Sequence, residues 1–286
     1  MTKPGRRENT PSNEIARFTD REDQQRVFRR YLHSPTEPPV LMFYGVGGAG
    51  KTWLLKKLKQ ETRADVPTAY LDFDAQAGGQ RFTLDPASAL YEIRQQIGRG
   101  APRFDLAFAM LRHKQGAAEE PGMRGQGALG LAAEVAAELA QAAQSLPAVN
   151  VAINGLRRHL FKHLRDTPLE RLLADATGSQ FVLELRAKTS QDIGNDLLHY
   201  LAADLRESLT PNLGRAVRAV LFFDSFEAVG AGLLNAEHRR FREKWIREAA
   251  ANFDFALTVI AGQNRLDWEE AEPEWAESIE IGRAHV

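Results

Sequence analysis

The feature that most constrains the fold is an apolar run that ends in a glycine-rich octet and continues into a helical pattern, "VLMFYGVGGAGKTWLLKKL" at residues 40–58. Residues 45–52 fit the pattern G-x-x-x-x-G-K-[ST], which needs a preceding strand and a following helix. Glycines let the backbone turn tightly enough for its N–H groups to surround an anion, and the helix directs its positive end at the same point. The octet therefore predicts a phosphate-binding loop.

Each part of this loop has a predicted role in holding the phosphates of a nucleotide. Lys51 would place a positive charge between the outer phosphates, and the Thr52 hydroxyl would ligate Mg²⁺. The remaining positions would contribute backbone N–H groups or line the site. The candidate nucleotide-binding residues of this segment are Gly45, Val46, Gly47, Gly48, Ala49, Gly50, Lys51, Thr52 and Trp53.

The metal ion also needs an acidic ligand at the end of a buried strand near the loop. The stretch "VLFFDSFE" supplies Asp224 after four apolar residues. Asp72 and Asp74, at the end of "AYLDFD", are the competing candidates. We therefore predict that Asp224 and Thr52 together hold Mg²⁺.

Hydrolysis of a bound nucleotide requires a group that orients the attacking water. Glu227 follows Asp224 by three residues and is the candidate for this role, so the predicted catalytic residues are Asp224 and Glu227. Many ATPases place a glutamate directly after the metal-binding aspartate, where this chain has Ser225. Slow turnover, or none, is the expectation.

A second apolar run, "TVIAGQNRLDW", also ends in polar residues. Gln263, Asn264 and Arg265 follow its last glycine, at a strand end where polar groups can sense the terminal phosphate of a nucleotide. Arg265 has an equally good alternative, which is an ion pair with an acidic neighbour on the surface.

Short apolar strands that alternate with helical patterns predict an α/β fold, with a parallel sheet covered by helices on both faces. We expect the strand at residues 217–223 to lie beside the strand at residues 40–44. The helix in "NAEHRRFREKWIREAAANF" is expected to bury Phe241 and Trp245, which lie one helical turn apart.

The 286 residues predict three segments. Residues 1–14 are polar and predicted to be disordered, and residues 15–279 form the P-loop ATPase domain, with a helical insertion at about 115–195. Because the chain lacks cysteine, disulfides and thiolate chemistry are excluded. A net charge of −1 disfavours general nucleic-acid binding. With neither a signal peptide nor a membrane-spanning run in the sequence, a cytoplasmic location is expected.

Four of these stretches together resemble the STAND class of P-loop ATPases, signalling relatives of the AAA+ and origin-recognition ATPases. They are "FTDRE" at residues 18–22, "GVGGAGKT", "FFDSFE" and "VIAGQNRLDW". The resemblance implies ATP or ADP with Mg²⁺ as cofactors, and it places Arg21 near the nucleotide base. It also implies a closed ADP-bound state, an open ATP-bound state and self-association of the full-length protein. Asp20 stands where the family usually has glycine, and Gln263 replaces its usual arginine.

The C-terminal residues suggest that this chain is a fragment. Proteins of the class normally continue into a winged helix and then into repeat or effector regions. The last seven residues, "EIGRAHV", are what a common sequencing-library adapter would encode, so residues 280–286 are predicted to be an adapter-derived tail. "WAESIEI" at residues 275–281, which overlaps the start of this segment, is expected to begin another strand.

Three alternative functions remain open on the sequence. One is a module that binds nucleotide without hydrolysing it, which Ser225 favours. A small-molecule kinase could use the basic stretch "GLRRHLFKHLR" as a lid, and a nucleic-acid-dependent ATPase could use it to follow a phosphate backbone. Such a stretch is more often a solvated helix face. Its basic residues are Arg157, Arg158, Lys162 and Arg165.

Overall fold

The computed structural model describes residues 21–33, 40–62, 64–74, 80–116, 176–209, 219–233 and 235–283. Contacts between residues divide the chain into two compact units: unit 1 takes in Met1–Ala89 and Asn212–Val286, and unit 2 takes in Leu90–Pro211. The predicted disordered segment at 1–14, most of the predicted insertion and the basic stretch with Arg157, Arg158, Lys162 and Arg165 lie outside the described residues.

Unit 1 contains a five-stranded sheet in which every pair of neighbouring strands is parallel. The order of the strands across the sheet is β2-β3-β4-β1-β5. This confirms the α/β class and the parallel sheet. The strands are β1 (Val40–Tyr44), β2 (Thr68–Asp72), β3 (Ala219–Asp224), β4 (Ala256–Gly262) and β5 (Ile279–Arg283).

The predicted pairing of the first and third strands is wrong, because β4 lies between β1 and β3. Thr258 of β4 is the register partner of both Val40 and Leu221. All residues of β4 are buried, as expected for a strand in the middle of a sheet whose two faces are covered. The apolar pattern reveals that a strand is buried, but it does not identify the strand's neighbours.

The strand expected to begin in "WAESIEI" is present as β5, which pairs with β1 at one edge of the sheet. It includes residues 280–283 of the segment that the sequence analysis assigned to a tail. Residues 284–286 lie outside the described part of the chain.

Eight α-helices are described across the two units. They are α1 (Glu22–His33), α2 (Lys51–Glu61), α3 (Gln80–Leu84), α4 (Pro86–Ile97), α5 (Pro102–Lys114), α6 (Ala176–Ala187), α7 (Ser190–Leu209) and α8 (Ala236–Asn252). Helix α4 begins at an aspartate cap and ends at a glycine: Asp85 Oδ1 accepts hydrogen bonds from the backbone N–H groups of Ala87 and Ser88, and Gly98 follows the helix with φ 65°. No described helix is both long and apolar enough to cross a membrane.

Helices α1 and α2 cover one face of the sheet. Their apolar side chains form a single buried cluster with alternate residues of β1, β3 and β4, and the rings of Phe28 and Phe222 lie 6.0 Å apart. Burying such side chains stabilises the fold by about 1.5–3 kcal/mol each. The α1 and α2 members of the cluster are Phe28, Tyr31, Leu32, Leu54, Leu55 and Leu58.

Helix α8 packs on the opposite face, where the ring of Trp245 lies 6.2 Å from that of Phe223. The prediction that Trp245 is buried is confirmed, but the prediction for Phe241 is wrong, since 78% of Phe241 is exposed. None of residues 236–244 is buried. The buried residues of α8 therefore lie in its C-terminal half, from Trp245 onward.

Unit 2 is helical in the part of it that is described, and buried ion pairs join its helices. Arg94 of α4 donates two hydrogen bonds of 2.7 Å to the Asp105 carboxylate of α5. Asp204 of α7 accepts a 2.9 Å hydrogen bond from the backbone N–H of Phe104. This contact satisfies one of the N–H groups that the first turn of a helix leaves without a partner inside the helix.

The segment between β4 and β5 is tied to α8, which fixes the position of the end of β4. The indole N–H of Trp268 donates to Glu243 at 3.3 Å, and Arg247 donates to Glu272 at 3.0 Å. Partial burial, reinforced by the charge of Asp267, raises the pKa of Glu243 from 4.5 to about 7.

This raised pKa predicts a pH-dependent stability. The unfolded chain releases the Glu243 proton near pH 4.5, whereas the folded protein keeps it until about pH 7. The free energy of unfolding therefore has its full contribution from Glu243 below pH 4.5 and loses that contribution as the pH rises to about 7. Glu243→Gln should therefore raise the melting temperature more at pH 8 than at pH 5. A change of 1 kcal/mol corresponds to about 2–4 °C.

Thermal unfolding of the unaltered protein and of Glu243→Gln at pH 5 and pH 8 tests this prediction. The control is Glu274→Gln, which changes an exposed glutamate in the segment between β4 and β5. An equal effect of Glu243→Gln at pH 5 and pH 8 would contradict the assignment.

Candidate functional site

The glycine-rich loop, residues 45–50, connects the carboxyl end of β1 to the first residue of α2. Gly48 and Gly50 have φ values of 79° and 78°, a left-handed conformation that is unfavourable for other residues. The N–H of Gly45 donates to the Gly262 carbonyl at 3.2 Å, so the loop starts against the end of β4. Two of the four loop glycines are therefore required by their backbone conformation.

Lys51 lies within the curve of this loop and is only 9% exposed. Its ammonium group donates to the Gly45 carbonyl at 2.7 Å and to the Val46 carbonyl at 3.0 Å. These bonds hold a positive charge beside the loop backbone, at the N-terminal end of α2. The charge and the helix end together favour an anion at this place.

Arg21 reaches the loop from the residue that precedes α1. Its side chain is buried, and its guanidinium group donates a hydrogen bond to the Ala49 carbonyl. The backbone of Arg21 has φ 84°, a conformation that costs a non-glycine residue about 1–2 kcal/mol. The structure therefore brings Arg21 to the loop, where its contact is with the loop backbone.

Asp224 ends β3 and is 1% exposed. Its carboxylate accepts a 2.8 Å hydrogen bond from the backbone N–H of Ser225, and the Thr52 hydroxyl lies close enough to lower the pKa of the carboxylate. Burial raises the pKa of Asp224, and these two groups oppose the rise. The two predicted metal ligands, far apart in sequence, are therefore brought near each other at the carboxyl edge of the sheet.

Sequence reasoning missed Tyr70, whose hydroxyl donates to Asp224 Oδ2 at 2.5 Å. Burial, followed by the charge of Asp224, raises the pKa of Tyr70, so its hydroxyl remains a donor. Of the competing acids, Asp72 ends β2 as the register partner of Asp224, and it accepts a 3.0 Å hydrogen bond from the N–H of Asp74. Among the three carboxylates, Asp224 is singled out by its burial and by the nearby Thr52 hydroxyl.

Glu227 lies in a short 3-10 helix, Phe226–Ala228, directly after β3. Its Oε2 atom accepts a 3.0 Å hydrogen bond from the backbone N–H of Gln263 at the end of β4. The side-chain nitrogen of Gln263, Nε2, lies 4.0 Å from the position that a Cβ would take if Gly47 were replaced by alanine. Glu227, Gln263 and the loop thus share one corner of the site.

The other predicted residues lie at the edge of this arrangement. Arg265 is 3.8 Å from the Glu269 carboxylate, which is the surface ion pair that the sequence left open. Trp53 is half-buried in the first turn of α2, while 68% of Val46 is exposed. No group of three or more histidine, aspartate or glutamate side chains suited to a metal ion occurs among the described residues.

The loop geometry predicts different effects for two adjacent glycines. Gly48→Ala should lower the free energy of unfolding by about 1–2 kcal/mol, because its left-handed backbone is unfavourable for alanine although space for a Cβ exists. Gly47→Ala is the matched control, since its backbone is not left-handed and its added Cβ would make no contact closer than 4.0 Å. Urea unfolding measures both, and equal losses would contradict the geometry.

Comparison of the chain with protein-family models, with curated proteins and with solved structures gives no match. The functional argument therefore depends on the contacts within the site.

Proposed function

We propose that this chain is the nucleotide-binding domain of a STAND-type signalling ATPase, which binds ATP with Mg²⁺ and hydrolyses it slowly as a conformational switch. The observation that carries the proposal is the position of the buried Asp224 carboxylate beside the Thr52 hydroxyl, next to the buried Lys51. A glycine-rich loop, a buried ammonium group and a hydroxyl–carboxylate pair are the groups that a nucleotide phosphate chain with Mg²⁺ requires.

The arrangement of the sheet supports a ligand at this place. The loop after β1 leads into α2 on one face, whereas the chain after β3 leads into α8 on the other face. Ligands of open parallel sheets bind outside the carboxyl ends of the strands, at the point where the connections change faces. The glycine-rich loop and Asp224 both lie at this carboxyl edge, as a P-loop NTPase fold requires.

The donor set fits Mg²⁺ bound together with a nucleotide. Mg²⁺ takes oxygen ligands, keeps several waters, and is usually held by one or two carboxylates with substrate phosphates. Thr52 and Asp224 would supply the protein oxygens. When bound, the ion would neutralise charge on the outer phosphates, while Lys51 and the loop N–H groups would hold their oxygens.

The central test is the affinity for ATP. Lys51→Ala should weaken ATP binding by about 10- to 150-fold, because hydrogen bonds to charged groups contribute about 1.5–3 kcal/mol. Titration calorimetry at fixed Mg²⁺ and ionic strength measures the loss, and thermal unfolding checks the fold. Lys57→Ala, which removes the same charge from a partly exposed position of α2, is the control. Unchanged affinity in a folded Lys51→Ala protein would refute the proposal.

The second candidate function is a module that binds nucleotide without hydrolysing it. The observation that favours this alternative is the hydrogen bond that Glu227 Oε2 accepts from the Gln263 backbone N–H, because it ties the carboxylate to the end of β4. The remaining acceptor positions of the carboxylate would have to accept the hydrogen bond from water. The two functions therefore differ in what Glu227 does when ATP is bound.

The substitution Glu227→Gln distinguishes a slow ATPase from a module that binds ATP without hydrolysing it. Glutamine keeps an oxygen for the Gln263 N–H, so ATP affinity should stay within about twofold, whereas ATP turnover should fall by about 100-fold if the carboxylate orients water. Phosphate release under single-turnover conditions provides the measurement, with the exposed Glu237→Gln as the control. Intact ATP recovered from the unaltered protein would instead establish the non-hydrolysing module.

A further inference from the structure

We propose that Tyr70 is a positioning residue for the metal site: its hydroxyl holds the Asp224 carboxylate in the orientation that binds nucleotide-bound Mg²⁺. This inference rests on the proposed function and adds to it a residue from β2, a strand that supplies none of the predicted ligands. Three observations carry it, namely the hydrogen bonds of the carboxylate, the packing of the tyrosine ring and the register of the two strands.

The carboxylate of Asp224 has a separate protein donor on each oxygen. Tyr70 donates to Oδ2 at 2.5 Å, and the Ser225 N–H donates to Oδ1 at 2.8 Å. Two donors on opposite oxygens fix the rotation of the carboxylate about its Cβ–Cγ bond. Because a carboxylate offers about four acceptor positions, the hydroxyl of Thr52 and a metal ion can occupy the remaining ones.

The ring of Tyr70 is itself held by packing. The centroid of the Tyr70 ring lies 6.4 Å from the centroid of the Phe222 ring, and the Lys59 ammonium group lies 5.5 Å from the Tyr70 centroid. Phe222 belongs to the buried cluster beneath α1 and α2, and the ring of Tyr70 packs against this cluster. A hydroxyl on a ring held in this way presents its donor with little loss of side-chain freedom.

The strand register makes the contact possible. Phe222 is the register partner of Tyr70, and Asp224 is the register partner of Asp72. Residues two apart on a strand point to the same face, so Tyr70 reaches Asp224 diagonally across β2 and β3. Asp72 lies closer to the edge of the sheet, yet the hydrogen bond to Asp224 comes from Tyr70.

Groups that orient a metal ligand typically contribute 10- to 100-fold to metal affinity. A tyrosine that merely filled space would affect ATP binding equally with and without Mg²⁺. A tyrosine that orients Asp224 affects only the part of the affinity that Mg²⁺ adds. Comparing ATP dissociation constants in EDTA and in saturating Mg²⁺ therefore distinguishes the two roles.

The experiment compares four proteins by titration calorimetry: the unaltered chain, Tyr70→Phe, Asp224→Asn and Tyr200→Phe. Tyr70→Phe keeps the ring and its packing, and should reduce the gain in ATP affinity from Mg²⁺ by about 10-fold or more while leaving the affinity in EDTA unchanged. Tyr200→Phe is the matched control, because its hydroxyl also donates to an aspartate, Asp196 at 3.4 Å, but within unit 2. It should change neither constant.

Asp224→Asn separates failure of the inference from failure of the proposed function. If Asp224→Asn keeps the Mg²⁺ gain, the metal site assigned to Asp224 is wrong and the role of Tyr70 is overturned with it. If Asp224→Asn loses the gain while Tyr70→Phe keeps it, the proposed site stands and only the inference is overturned. An equal loss of affinity for Tyr70→Phe with and without Mg²⁺ would likewise assign the tyrosine a structural role.

Discussion

The structure depends on keeping one carboxylate buried at the edge of the sheet. A buried carboxylate without partners costs several kcal/mol, so Asp224 is compatible with the fold only where donors surround it. Those donors come from Tyr70 of β2 and from the backbone of Ser225, and the Thr52 hydroxyl of α2 lies beside the same carboxylate. The three segments meet only when the strands are in the observed order and register. Assembly of the sheet and assembly of the site are therefore the same event.

Features encoded by short stretches of sequence were predictable. The glycine-rich loop, the start of α4 at Asp85 and the buried strands follow from residues within one turn or strand of each other. In each case, a local rule about backbone conformation, capping or apolar pattern is sufficient. Asp224 was identified in the same way, as the polar residue that ends an apolar run.

Features that depend on tertiary neighbours were not predictable from one sequence. The position of β4 between β1 and β3 reflects competition among several apolar strands for the centre of the sheet. The exposure of Phe241 reflects which half of α8 is buried. The role of Tyr70 becomes visible only once β2 is known to lie beside β3. Periodicity identifies a buried face, but it does not identify the partner on the other side.

The turn after β3 has a consequence for how an active site of this shape can vary. Ser225 has φ 56°, a conformation that glycine, asparagine and aspartate adopt more readily than longer side chains. A glutamate at residue 225 would carry this backbone strain in every molecule, bound or free. In this chain the acid stands at residue 227 instead, in the 3-10 helix that follows the turn, where the backbone is not left-handed.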